Sequence, residues 1–327
     1  MSLDRIRGLA VAGAAITLVA SLVSGVAAPA VAQTPARVRL ATLAPSALLW
    51  LHYVAQDPRF YERRGVQVLP VQVSDSAVLV QSVASGSAEA GVALGDNVMR
   101  AVDRGAPVII TGAILYKPIL RLIGSTADVA SLRGKRVTAG AVEGGTTDLL
   151  LYQLLKKGGL ARQDVQMVAM PNSRDRLVAL RNGQLAGALL IAPFDVEAIR
   201  SGFTVLDVYR EPWLETPLIV NANWARQNRA AASALTLALK DAARWIYDPA
   251  NRGEAVAILA RNTGIAPDVV QEAYEFIVRD QQAISPDLSV PADSLRNILR
   301  IQQELHGGPD PAFDLYRYYD PSFLQER

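Results

Sequence analysis

The 327-residue sequence contains no cysteine, only two histidines, and no marked excess of either charge. Without cysteine there is no disulfide staple, no lipid-modified N-terminal cysteine, and no thiolate nucleophile or thiolate metal ligand. His52 and His306 stand far apart, neither with a second histidine at metal-ligand spacing. A serine nucleophile would have to recruit one of these isolated imidazoles, and no Gly-x-Ser-x-Gly elbow is present. No Gly-x-Gly-x-x-Gly follows the first apolar strand, and no Gly-Lys-Ser/Thr phosphate loop occurs. The carboxylates form no spacing that forces a paired acid and base. Together these absences argue against catalysis, and no cofactor or metal is expected. The 33 basic and 31 acidic residues give no basic surplus for displacing counterions from nucleic acid.

What is present begins with a leader. Arg5 and Arg7 precede an apolar stretch from about Gly8 to Val26, then Gly25, Pro29 and the small-residue run Ala30-Val31-Ala32. This pattern predicts a signal peptide over residues 1–32, cleaved before Gln33, and a periplasmic product. An uncleaved anchor is the alternative, because the apolar stretch nearly reaches bilayer length. The helix breakers before the Ala-x-Ala site favour cleavage. Removing Arg5, Arg7 and Asp4 leaves 31 basic and 30 acidic residues, a net charge of +1. No second apolar run of membrane length follows, so contact with a membrane is expected only through a partner. The remaining chain is long enough to bury a large core unaided.

From residue 36 the chain alternates β-rich runs with amphipathic helices. Strands are expected at 37–43, 66–73, 90–94 and 107–115, separated by helices at 47–61, 76–85 and 97–104. Val66, Val68, Leu69, Val71 and Val73 form a nearly continuous apolar run, as in a strand covered on both faces. The rhythm restarts with strands at 136–139, 165–169, 186–191 and 204–206 and helices at 146–157, 174–181 and 194–201. A strand at 218–221 then leads to helices at 230–247, 253–261, 267–279 and 292–306, and an irregular tail from Gly307. This predicts an α/β protein built on doubly wound, mostly parallel sheets. Leu79–Leu94 and Arg176–Ile191 superpose with an offset of 97. Each reads helix, glycine (Gly86, Gly183), small-residue strand, which suggests two similar lobes.

In open α/β sheets, ligands bind beyond the carboxyl ends of the strands. That rule selects Ser46, Ser74 with Asp75, Asp96 with Asn97, Tyr116, the run Glu143-Gly144-Gly145-Thr146-Thr147, Asn172-Ser173-Arg174, and Pro193 with Asp195. The glycine-threonine run permits close backbone approach at a helix start whose free N–H groups carry partial positive charge. Plain helix capping is its alternative role, as it is for Asp75, Asp96 and Asn172. Arg174 meets an anion or covers surface. Trp50, Tyr116, Phe194 and Trp213 are the aromatics that could wall a cleft, with Trp50 and Trp245 better suited to the core. Asp75, Asp96, Glu143 and these rings incline the reading toward a nitrogen-containing, heteroaromatic solute.

The passages Tyr61–Val68, Gly105-Ala106-Pro107-Val108, Ser131–Val137, Leu180–Gly187 and Trp245-Ile246 with Glu254-Ala255, in this order, resemble one family. It comprises periplasmic solute-binding proteins for nitrate, sulfonates, taurine and the thiamine pyrimidine precursor. The resemblance implies a type II periplasmic-binding-protein architecture, with one lobe from 33–118 plus 214–327 and the other from 119–213. Crossing segments are expected near Tyr116–Leu120 and Tyr209–Trp213, the latter placing Trp213 by the ligand. It further implies a monomer that binds a small molecule between its lobes and delivers it to an ABC permease and ATPase. Ala186 stands where the family usually has aspartate, and Leu43-Ala44-Pro45-Ser46 differs from the loop of oxyanion binders. Three alternatives share the fold: an oxyanion binder, a sensor docking to a receptor kinase, and a pyrimidine-processing enzyme. Fungal pyrimidine synthases resemble this family but carry a cysteine-rich motif, which is missing here.

Overall fold

A computed structural model describes residues 34–140, 145–307 and 312–326. The expected signal peptide lies outside the described residues, as do Glu143 and Gly144. The first sheet begins with β1 (Ala36–Thr42), β2 (Val66–Gln72) and β3 (Ala90–Val92). Between them run α1 (Trp50–Ala55) and α2 (Ser76–Ala84), followed by α3 (Gly95–Asp103) and β4 (Val108–Leu115). The second sheet starts with β5 (Leu120–Gly124) and β6 (Arg136–Thr138), then α4 (Thr146–Lys157), β7 (Gln166–Met167) and α5 (Ser173–Arg181). It is completed by β8 (Gly187–Ile191), α6 (Phe194–Arg200) and β9 (Thr204–Asp207), after which β10 (Thr216–Asn221) returns to the first. Five helices follow: α7 (Ala222–Gln227), α8 (Arg229–Tyr247), α9 (Arg252–Thr263), α10 (Pro267–Tyr274) and α11 (Ala292–His306).

The two sheets have the same plan. Their orders are β2-β1-β3-β10-β4 and β7-β6-β8-β5-β9. The first three strands of each are parallel, and the fourth, β10 or β5, is antiparallel to both neighbours. That antiparallel strand is the one entering from the other sheet, so each sheet is mixed. The chain is therefore a two-lobed α/β protein whose lobes exchange a strand, crossing over residues 116–119 and 208–215. The sequence reading missed β5, whose first residue, Leu120, ends the stretch assigned to the first crossing and whose remaining four residues were given no element.

Two local expectations change for physical reasons. β2 is not covered on both faces; it is an edge strand with Val71 exposed. Pro70 within it lacks an N–H and is tolerated there for that reason. The long first helix is a short one, because Pro58 interrupts it and the Asp57 carboxylate takes the Arg59 N–H at 2.9 Å, turning the chain. The irregular tail is bonded to the first sheet beyond residue 312. Ile110 N–H donates to Tyr318 O and Asp320 N–H to Ile110 O, so the tail covers the outer edge of β4. In the core, α8 presents Leu235, Leu239, Ala242, Ala243 and Ile246 at helical spacing, all fully buried. Trp50 is core as expected, its Nε1–H donating to Ala255 O at 3.0 Å. Among the described residues no helix is long and apolar enough to cross a membrane.

Gly95 opens α3 directly beneath the second crossing, where a methyl group would collide with the backbone carbonyl of Leu214. Helix propensity alone would make Gly95→Ala stabilising by about 1 kcal/mol. Overpacking against backbone instead predicts a loss of about 1–3 kcal/mol. Urea denaturation decides the sign, and an unchanged or raised midpoint contradicts the packing account.

Candidate functional site

The carboxyl ends of the strands in both lobes face one cavity of about 290 Å³. The first lobe contributes the Ser46 loop, Ser74 to Ala77 and Asn97; the second contributes Gly145 to Thr147 and Asn172 to Arg176. Leu43, Leu48, Leu94, Ile191 and Phe194 form apolar wall. Ten of the residues expected from the strand-end rule thus line one space: Ser46, Ser74, Asp75, Asn97, Gly145, Thr146, Thr147, Asn172, Ser173 and Arg174.

The offset of 97 seen in the sequence reappears as matched hydrogen bonds. Asp75 caps α2, its carboxylate accepting from Ala77 and Val78 N–H at 2.9 and 3.0 Å. Asn172 caps α5, its Oδ1 accepting from Asp175 N–H at 2.9 Å. Next in each helix, the Ser76 hydroxyl accepts from Leu94 N–H and that of Ser173 from Ile191 N–H, both at 3.0 Å. Gly86 and Gly183 leave their helices at φ +77° and +68°, a conformation that favours glycine. Each lobe therefore ties a helix start to the end of its third strand with the same serine.

Five expected residues lie outside the cavity wall. Asp96 and Asp195 are fully buried at the second positions of α3 and α6. Arg100 Nη2 lies 3.1 Å from Asp96 Oδ2, and Arg121 Nε lies 3.4 Å from Asp195 Oδ2. Pro193 is buried in the turn before α6. Trp213 is fully buried in the second crossing, edge-on to Tyr209 at 6.0 Å. Tyr116 packs beside Lys117 at the first crossing, its N–H bonded to Ala283 O. Apart from Trp213, which was expected in the second crossing, these side chains come from strand-end segments but point into the core or the crossings, a direction that spacing alone does not encode.

The structure adds residues that the strand-end rule could not select. Asn262 and Thr263, at the end of α9, close the cavity from the first lobe. Arg176, inside α5, is 1% exposed and donates to the carbonyls of Met170, Leu189 and Pro171. Burial pulls it down to about 9, with Asp175 opposing, so it stays charged at neutral pH. Among the described residues no carboxylate forms an ion pair with Arg176. A guanidinium without a carboxylate partner therefore borders the cavity.

Electrostatically the wall favours acceptors. The Asp75 carboxylate is engaged by its own helix and by the Ser74 hydroxyl at 2.9 Å. α4, in contrast, has no side-chain cap from its N-cap residue, Gly145. Thr146 is 1% exposed, and its hydroxyl has no hydrogen-bond partner among the described residues. Arg174 reaches across the cleft, donating to Thr263 O at 2.5 Å and lying over the Phe194 ring at 5.2 Å. Ala47 N–H also bridges the lobes, to Ala192 O at 3.0 Å. Farther out, Arg200 pairs with Asp268 and Glu272, and Lys156 with Glu304. Exposed pairs of this kind contribute only about 0–1 kcal/mol each. His52 is a core residue, 2% exposed, its Nδ1 at 3.2 Å from the Tyr61 hydroxyl.

The sequence pattern of the NMT1-like family matches residues 32–260. The chain belongs to the NMT1-like family. Two curated proteins resemble parts of this NMT1-like chain. A 4-amino-5-hydroxymethyl-2-methylpyrimidine phosphate synthase from Uromyces fabae is 27% identical over 121 residues, 36% of this chain and 35% of that protein. The nitrate/nitrite binding protein NrtA of Synechococcus elongatus is 29% identical over 143 residues, 42% of this chain and 32% of that protein. The chain thus matches only about a third of the length of either. Among solved structures, the alkanesulfonate-binding protein SsuA from Xanthomonas axonopodis pv. citri, bound to MOPS, superposes with TM-score 0.67 at 20% identity, covering 84% of this chain and 92% of that one. At that identity the likeness speaks to the fold, the two-lobed periplasmic-binding-protein architecture.

If Asp75 serves α2 as its cap, Asp75→Asn keeps stability within about 0.5 kcal/mol while Asp75→Ala loses about 1 kcal/mol. Chemical denaturation of the two variants checks this. Equal losses for both would show that the charge, not the cap, is what matters.

Proposed function

We propose that this NMT1-like protein is the extracytoplasmic solute-binding subunit of an ABC importer, holding a small organic anion between its lobes. The carrying observation is the Thr146 hydroxyl, buried on the cavity wall with no partner among the described residues, at the start of a helix whose N-cap residue offers no side-chain cap. A carboxylate, sulfonate or similar oxyanion placed there accepts from that hydroxyl and from the free N–H groups of the first turn, favoured by the helix dipole. Arg174 and Arg176 add positive charge from the adjacent helix. The apolar body of the solute rests on Leu48, Leu94, Ile191 and Phe194. Such a ligand favours the closed arrangement by touching both lobes, and a permease with its ATPase then reads closure.

This reading reverses the inclination toward a nitrogen-containing heteroaromatic. Asp75 is occupied by capping, Asp96 lies behind the wall, and of the four candidate aromatics only Phe194 reaches the cavity. A pyrimidine-processing enzyme is the second reading, favoured by the printed name of the Uromyces relative. The absence of cysteine and the burial of His52 in the core weigh against it.

Thermal-shift screening against alkanesulfonates, carboxylates, nitrate, pyrimidines and amines, followed by calorimetry, tests the proposal. An anion should stabilise the protein, and Thr146→Ala should weaken its binding about tenfold, corresponding to one hydrogen bond to a charged group. Stabilisation by pyrimidines or amines alone contradicts the ligand class. Turnover of a bound solute contradicts the transport reading.

A further inference from the structure

The cavity wall has an inner and an outer part. Leu48, Thr146, Ile191 and Phe194 line it and are buried. Pro45 and Ser74 of the first lobe and Arg174 of the second also line it but are exposed. A residue that borders both the cavity and bulk water marks the mouth, which therefore lies between the Ser46 and Asp75 loops and the start of α5. Arg174 is the longest of these outer side chains, and its guanidinium turns across the cleft. It donates to Thr263 O at 2.5 Å, at the end of α9 in the first lobe, and lies 5.2 Å from the centre of the Phe194 ring in the second. Both partners are neutral wall residues. The acceptor suits a cation, because last-turn carbonyls of a helix lack intrahelical partners and carry partial negative charge. Among the described residues no carboxylate pairs with Arg174, and no other side chain of the wall hydrogen-bonds across the cleft. The Arg200 and Lys156 pairs, by contrast, lie outside the cavity wall.

We propose that Arg174 is a bar across the mouth of the cavity and sets the size of solute that is admitted. One charge-assisted hydrogen bond and one aromatic face hold it in place, contacts weak enough to break and re-form without unfolding. A slender solute passes with the bar shut. A bulkier one enters only when the bond to Thr263 breaks and the guanidinium swings off Phe194 into water. The long, flexible arginine stem allows that swing without moving α5, whose start is fixed by the Asn172 cap and by the Ser173 hydroxyl accepting from Ile191 N–H. Arg174 is thus a specificity-determining residue for size, while Arg176, locked to three carbonyls, stays where it is. That the admitted solute is an anion rests on the function proposed above; the bar rests on the cavity wall alone.

The test needs no ligand. Because the chain has no cysteine, a single thiol can be placed inside the cavity by Leu48→Cys, or by Ile191→Cys on the opposite lobe if the first does not fold. Its modification rate is measured with two uncharged reagents, methyl and benzyl methanethiosulfonate, with Arg174 present and with Arg174→Ala. Removing the bar should speed the benzyl reagent about tenfold, the factor for one hydrogen bond made by a charged group. The slender methyl reagent should react at nearly the same rate in both. Arg174→Met, which keeps the length of the side chain but has no donor to hold it, should behave like Arg174→Ala. A benzyl rate that does not rise, or that rises only by the factor seen with the methyl reagent, overturns the bar. A failed ligand screen leaves both rates unaffected, so the two proposals fail separately.

Discussion

The structure depends on one requirement: the first turn of every helix leaves N–H groups that must be satisfied. The βα order delivers those turns to the strand ends, and the two lobes turn these ends toward a common cavity. α2 and α5 satisfy theirs locally, through Asp75 and Asn172. α4 has no such side-chain cap from its N-cap residue, and its first residue, Thr146, carries a buried hydroxyl on the cavity wall with no hydrogen-bond partner among the described residues. In the proposed reading, the capped starts of α2 and α5 are scaffold of the cleft and the start of α4 is the part that holds the ligand.

The same order explains where charge is placed. Each lobe buries an aspartate at the second position of the helix after its third strand, Asp96 or Asp195, and sets an arginine against it. Arg121 also stacks on Phe276 at 3.7 Å, so its partner contacts reach the segment after α10. Arg176 differs from both, since backbone carbonyls rather than a carboxylate surround it. A charge satisfied only by dipoles keeps a long-range field, and beside a cavity that field favours an anion.

Much of this is legible in the residues. The βα rhythm, the strand-end loops and the offset of 97 are local patterns. The structure gives that offset a physical form in paired caps, paired serines and paired glycines. What was hidden depends on tertiary direction. β5 is a five-residue strand, interrupted by Arg121, that begins where the first crossing was expected to end. β2 is apolar yet lies on an edge. Asp96 and Asp195 follow strand ends in sequence and Trp213 lies in the second crossing, but all three side chains turn inward. Arg176 lies within a helix and Asn262 and Thr263 end one, so no strand-end rule selects them.

The central claim is that one cleft between the lobes holds the solute at the uncapped start of α4. A crystal structure of the protein with the anion that stabilises it most tests this directly. The account predicts electron density for the anionic group within hydrogen-bond distance of the Thr146 hydroxyl, with the apolar portion against Phe194 and Leu48. Solute bound elsewhere on the molecule, or bound in the cleft with its anionic group turned away from α4, would contradict it.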